Sequence, residues 1–164
     1  MQFEIGDVVI HPAYGVSHII AIGEKQFPGM DTCLYYEIAL PKSTIWIPVD
    51  AQEAIGIRFA TTQTELDQYR ALLKSPPTPL KNNQPLLRHT ELAKRLRQGS
   101  FAVMCEAVRD LTAFNSQKPL GVTIKSMLQK TRERLCQEWA IAADISVDAA
   151  NEEIDRLLQT SSNG

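Results

Sequence analysis

The spacing of apolar residues changes near residue 60, and that change constrains the fold more than any other feature. Before it, β-branched and aromatic residues come in short runs separated by Gly, Pro, Asp and Ser. From Thr61 onward, apolar residues recur three and four positions apart, the spacing of one helix face. Strands followed by helices predict an α+β protein: a small β unit, then an all-helical unit.

The β half reads in detail. Gly6-Asp7 is a turn, and Val8-Val9-Ile10 suit a pleated surface. His11-Pro12 ends that strand, because Pro has no N–H for the ladder. Gly15 permits the reversal into Val16–Ile22. Further strands are predicted at Cys33–Leu40, Thr44–Val49 and Ile55–Ala60, which makes five short strands and a Tudor- or SH3-like barrel.

In the second half, Thr62 or Thr64 can cap a helix through Leu66, Tyr69, Leu72 and Leu73. Ser75-Pro76-Pro77-Thr78-Pro79 stops it, and Leu80–Pro85 reads as extended linker. A helix from about Leu86 to Gln98 is expected to end at Gly99. Ser100 caps the next, with Val103, Ala107, Leu111 and Phe114 on one stripe. Thr123 opens a longer helix with Ile124, Met127, Leu128, Leu135 and Trp139 inward and Lys125, Lys130, Arg132 and Arg134 mostly outward. A last helix, about Ser146 to Gln159, uses Ala149, Ile154, Leu157 and Leu158, and residues 161–164 are expected to fray. The predicted organisation is 1–62 β-domain, 63–85 helix and Pro-rich linker, 86–160 helical domain.

The net charge of −2 conceals an uneven distribution. Residues 1–60 carry −4, residues 81–134 carry +7 and residues 135–164 carry −5. Such asymmetry speaks of partners, and a basic middle segment fits a polyanion such as nucleic acid. Solvated helix faces paired with the acidic tail are the alternative. Arg88, Lys94, Arg95, Arg97 and Lys125 follow the linker closely and carry that basic character.

Catalytic chemistry has little to draw on. His11, His18 and His89 are scattered without metal-ligand spacing, and no Gly-rich phosphate loop occurs. Cys33, Cys105 and Cys136 are too far apart for a zinc ribbon. No catalytic residue, metal or cofactor is therefore expected. No apolar run reaches the roughly 20 residues of a membrane span, and no secretory pattern opens the chain, so a cytoplasmic protein is expected. Trp46, between Ile45 and Ile47, belongs to the opposite strand face from those two and becomes a binding anchor if they fill the barrel.

These residues resemble the CarD/CdnL family of bacterial RNA polymerase-binding transcription regulators over nearly the whole chain. The carriers are Phe3-x-x-Gly6-Asp7-x-Val9-x-x-Pro12-x-x-Gly15, Gly29, Tyr35-Tyr36, Thr44-x-x-x-Pro48, Gly56-Ile57-Arg58, Gly99, Glu106-x-Val108-Arg109-Asp110-Leu111 and Lys125-x-Met127-Leu128. The first half alone is also similar to the polymerase-interacting domain of the transcription-repair coupling factor.

The resemblance implies a Tudor-like domain docking on the polymerase β subunit and a helical domain touching promoter DNA at the upstream edge of the open complex. It implies a monomer at the nucleoid, with no covalent chemistry. Carried over by position, polymerase-binding residues are Lys25 and Trp46, with Ile45 and Pro48 beside them. DNA-binding positions are Arg88 and Lys125, with Lys94 and Arg95 from the same basic set. Three departures stand out. Trp46 replaces a family Arg; Pro85, followed by Leu86, occupies the wedge position of a family Trp; and Leu87 and Thr90 replace basic residues. Pro and Leu also serve as minor-groove wedges. The alternative is a protein-only adaptor: the barrel docks on polymerase while the helical domain binds another protein.

Overall fold

The computed structural model describes residues 2–77, 85–97 and 100–162, with residues 85–88 and 161–162 described by backbone alone. The chain divides into two compact units, residues 1–60 and 61–164.

The first unit is one antiparallel sheet of β1 (Val8–His11), β2 (Gly15–Lys25), β3 (Cys33–Ala39), β4 (Thr44–Pro48) and β5 (Arg58–Phe59), in the order β4-β3-β2-β1-β5. The β1–β2 reversal centres on His11↔Gly15, with Gly15 at φ 79°, where a side chain would be strained. Between β2 and β3, Phe27-Pro28-Gly29-Met30 closes through Met30 N–H to Phe27 C=O at 3.0 Å. Pro28 precedes Gly29 at φ 78°, the pattern of a type II turn. A bulge between Ile19 and Ala21 shifts the β2–β3 register and bends the sheet.

One core cluster joins Phe3, Val9, Ile19, Tyr36, Ile38, Ile47 and Ile57. Ile47 lies on edge strand β4 and Ile57 beside the opposite edge strand β5, so the sheet curls around its core as a Tudor-like fold requires. The predicted strand Ile55–Ala60 is shorter than expected. Gln52–Ile55 instead form a helical turn, α1, after a 3-10 turn at Val49–Ala51. Gly56 at φ 90° ends that turn, leaving only Arg58–Phe59 to pair with β1.

The second unit contains α2 (Gln63–Lys74), α3 (Pro85–Arg97), α4 (Phe101–Gln117), α5 (Val122–Ala143) and α6 (Val147–Ser162). Helix α2, expected in the connecting segment, is a core element of this unit: Leu66 and Leu73 are fully buried beside Phe101, Val108, Leu135, Trp139 and Ile154. Thr62 caps α2 by accepting the Glu65 N–H, and Ser100 caps α4 by accepting the Val103 N–H. Pro85, expected in the linker, is the first residue of α3, where a missing N–H costs nothing. Residues 78–84 of the predicted linker, and Gly99 as a helix end, lie outside the described residues.

Several boundaries differ from expectation. Helix α5 begins at Val122 with Gly121 at its N-cap, so Thr123 lies inside the first turn. In the predicted stripe of α4, Ala107 and Leu111 are buried but Val103 and Phe114 only half-buried, and Phe101, Met104, Cys105 and Val108 are buried as well, because the helix packs into both core clusters of this unit. In α6, Ala150 is buried where Ala149 was expected. Helix α6 runs to Ser162, beyond the expected end at about Gln159, and residues 163–164 lie outside the described residues. A second cluster, Leu92, Ala107, Leu111, Leu120 and Ile124, seats α3 on α4 and α5.

Candidate functional site

In the β unit, cross-strand partners decide which side chains share a face. Ile45 pairs with Ile38 and Ile47 with Tyr36, all on the core side. Trp46 pairs with Glu37 on the outer side and is half-buried. The same outer side carries Lys25 opposite Cys33, and Pro48 opposite Tyr35. Lys25 reaches across the sheet so that its Nζ stands 4.3 Å from the Trp46 ring centroid, a cation–π contact. Phe27, from the β2–β3 turn, meets Tyr35 edge-on at 5.2 Å between centroids. Phe27 is 38% and Met30 56% exposed. A hydrogen bond with the Cys33 side chain holds the Tyr35 phenol above its ordinary range.

Lys25, Trp46 and Pro48 are thus brought to one face. Ile45 is not: it packs against the core, so its side chain is removed from the expected docking set. Two aromatic residues of this side were missed in the sequence: the exposed Phe27 and Tyr35, which is buried against it. The period-2 alternation of Cys33, Tyr35 and Glu37 in β3 would have placed Tyr35 beside Trp46 and Pro48. Strand β4 is a sheet edge, with no strand beyond it among the described residues.

In the helical unit, the basic residues divide. Lys94, Arg97 and Lys125 are exposed. Arg95 is held by Glu106 of α4, its Nη2 to Oε2 at 3.0 Å, so part of its charge is committed within the protein. Pro85 and Leu86 lie in the first turn of α3; the side chains of Pro85, Leu86, Leu87 and Arg88 lie outside the described residues.

Arg109 and Asp110, two carriers of the family pattern, are buried in a structural network. Arg109 Nε donates to Asp110 Oδ1 at 2.8 Å, and its Nη1 donates to Ser75 Oγ at 2.7 Å and to Leu72 C=O at 3.4 Å. It therefore closes the C-terminal end of α2, where carbonyls lack helical partners. Arg70 links Asp67 and Glu153 and lies 5.9 Å from the Trp139 ring centroid. Burial raises the thiol pKa of both Cys105 and Cys136. A cleft of about 320 Å³ between α5 and α6 is lined by Arg132, Glu133, Cys136, Asp148 and Asn151, and Arg132 is paired with Asp155 and Asn151. Among the described residues, no group of His, Cys, Asp and Glu could hold a metal ion, and no helix is long and apolar enough to cross a membrane.

A Tudor-like sheet with an aromatic and cationic outer face, followed by a helical unit with exposed basic side chains, defines a two-part α+β binding protein. Comparison with known families is more specific. Residues 3–59 match the CarD-like/TRCF RID domain, and residues 69–155 match the CarD C-terminal domain. The chain belongs to the CarD family and is a CarD-like transcription regulator. It is 27% identical over 151 residues to the "Putative transcription factor YdeB" of Bacillus subtilis (strain 168), spanning 88% of this chain and 95% of that protein.

Proposed function

We propose that this protein docks on the β subunit of RNA polymerase through the outer face of its sheet and contacts promoter DNA, near the upstream edge of the open complex, through its helical unit. The Lys25–Trp46 pair on the outer face of the sheet, ending on edge strand β4, is the observation that carries the reading. An aromatic anchor half-covered by a lysine offers a partner both apolar area and a positive charge. An edge strand also offers backbone groups for a partner strand to pair with. Trp46, Pro48 and Lys25 are the docking side chains, while Ile45 supplies edge backbone.

On the DNA side, Arg88, Lys94, Arg95 and Lys125 make contacts to phosphate, which position without reading sequence. Pro85 and Leu86 act as an apolar wedge in place of an aromatic one. The protein works as a monomer in the cytoplasm, at polymerase, and performs no covalent chemistry.

The test uses purified polymerase and a promoter fragment. Recovery of the β subunit by wild type, and its loss with Trp46→Ala, supports docking. If roughly three phosphates are contacted, log affinity for the promoter complex falls against log salt with slope about −2.7. Charge reversal at Arg88 and Lys125 should abolish the change in open-complex lifetime with docking intact. A change in lifetime that survives both reversals favours the protein-only adaptor. The Arg95–Glu106 pair, which draws one basic residue away from phosphate, speaks for that second reading.

A further inference from the structure

Gly23 stands inside β2, between Ile22 and Glu24, where a residue without a side chain weakens a strand. The usual local reasons for a glycine are absent. Its φ lies outside the left-handed region that Gly15, Gly29 and Gly56 occupy. The bulge in β2 falls earlier, between Ile19 and Ala21, and from Ala21 to Lys25 every residue has its own partner, Glu37 back to Cys33. Nor is the position crowded: a Cβ placed on Gly23 would have no atom of the described residues within 4 Å, its two chain neighbours aside. The strand has room here for a β-branched side chain, the kind a pleated surface favours.

The gap lies on the outer face of the sheet. Ile22 packs on the core, so Gly23 belongs to the other side, in one row with Tyr35 of β3 and Pro48 of β4. Lys25 and Trp46 flank that row, one on each side of it, and their contact crosses it. Tyr35 is 4% exposed in this row, while the space over Gly23 stays empty. Among the described residues no strand runs along the other side of β2 at this point. Strand β1 pairs with β2 only from Val8↔His18 to His11↔Gly15, and the approach to it ends with the Gly6 N–H on Ile19 C=O at 2.8 Å. Ala21 and Lys25, two residues to either side, present a methyl and a methylene stem on the same face as the gap.

We propose that Gly23 is a specificity-determining residue: the gap above it seats one apolar side chain of the polymerase β subunit, laid against bare strand between Ala21 and Lys25. This role presupposes the docking reading above and adds the point where the partner comes closest. Glycine inside a strand often marks a place where another chain approaches the backbone closely, and the sheet itself supplies no such chain here. The occupant is apolar because the flanking groups are a methyl and a methylene stem, with the Lys25 ammonium turned to the Trp46 ring. A side chain built in at Gly23 would stand where that group sits, yet the free protein would gain a strand former. Docking and stability should therefore move in opposite directions, which a folding defect cannot mimic.

The experiment titrates the full chain, as wild type, Gly23→Ala, Gly23→Val, Glu24→Val and Trp46→Ala, into purified RNA polymerase, and melts each protein alone. Burying one side chain of Val or Leu size is worth roughly ten- to hundredfold in affinity, so Gly23→Val should bind weaker by about that factor. It should melt at the wild-type temperature or higher, and Gly23→Ala should fall between the two in affinity. Glu24→Val, on the opposite side of the same strand, should bind as wild type does. Wild-type affinity in Gly23→Val, with Trp46→Ala still impaired, would overturn the seat and leave the docking reading standing. Equal losses in Gly23→Val and Glu24→Val would also overturn it, because the strand as a whole would then be at fault. So would a lower melting temperature for Gly23→Val, since the position would then not be open. A wild type that fails to bind polymerase would overturn the docking reading and the seat together.

Discussion

Replacing Trp46 by Ala should separate docking from folding. In the free protein the ring is half-buried on the outer sheet face with Lys25 Nζ 4.3 Å from its centroid. A partner that covers the remaining ring removes roughly 60 Å² of the roughly 200 Å² an indole offers from water, which at about 25 cal/mol per Å² is about 1.5 kcal/mol. The cation–π contact already exists before binding, so only its strengthening on desolvation counts, from about 0.5–1 to about 2 kcal/mol. The sum, about 2.5 kcal/mol, corresponds to roughly 60-fold weaker binding. Because Ile45 and Ile47, not Trp46, fill the core, the stability cost should stay near about 1 kcal/mol, in the range of a cross-strand pair. Isothermal titration against the isolated polymerase β subunit measures the first quantity and thermal melting the second. Lys25→Ala should weaken docking by less, and the double variant by less than the sum of both single effects. An unchanged affinity for Trp46→Ala, in a protein that melts like wild type, would refute the assignment of this face.

The remaining predictions concern the helical unit and the cysteines. Arg109→Leu leaves Asp110 and the end of α2 without their guanidinium and should cost about 3–5 kcal/mol, read as a Tm at least about 12 °C lower. Glu106→Gln releases Arg95, so DNA affinity at low salt should rise and the salt slope should steepen by up to about 0.9, measured by fluorescence anisotropy. Cys33 is half-exposed, whereas Cys105 and Cys136 are buried, so a thiol reagent should modify Cys33 first in the native protein. Burial raises the pKa of Cys105 and Cys136 above the unfolded value, so the native state retains protons that the unfolded chain releases. Their contribution to stability is therefore complete below about pH 8.5 and declines as pH rises above it. Cys105→Ala and Cys136→Ala should flatten that alkaline decline in denaturant titrations.

The amino-acid sequence by itself determined the order of elements and the two kinds of core. Period-2 and period-3.6 patterns are local, and burial of one face of a strand or helix follows from them whatever the neighbours are. Trp46 could be assigned to the face opposite Ile45 and Ile47 for the same reason. Which face met the core was a tertiary decision, made when Ile38 and Tyr36 of β3 aligned with Ile45 and Ile47. The short strand at Arg58–Phe59 was illegible because a helical turn over Gln52–Ile55 and the left-handed Gly56 override the strand propensity of Ile55 and Ile57.

Helix α2 read as a connector because its sequence shows an apolar face without showing what covers it; α4, α5 and α6 supply the cover. The same limit applies to charge. Arg95 and Arg109 look alike in a count of basic residues, yet one forms a surface pair with Glu106 and the other closes a helix end with Asp110, Ser75 and Leu72. Glu138, buried in the helical unit, carried no signal at all, since the Thr61 N–H and hydroxyl that donate to it stand 77 residues away and meet it only when the helices pack. Local periodicity is written along the chain; the pairing of buried polar groups depends on distances that only the folded chain brings within hydrogen-bond reach.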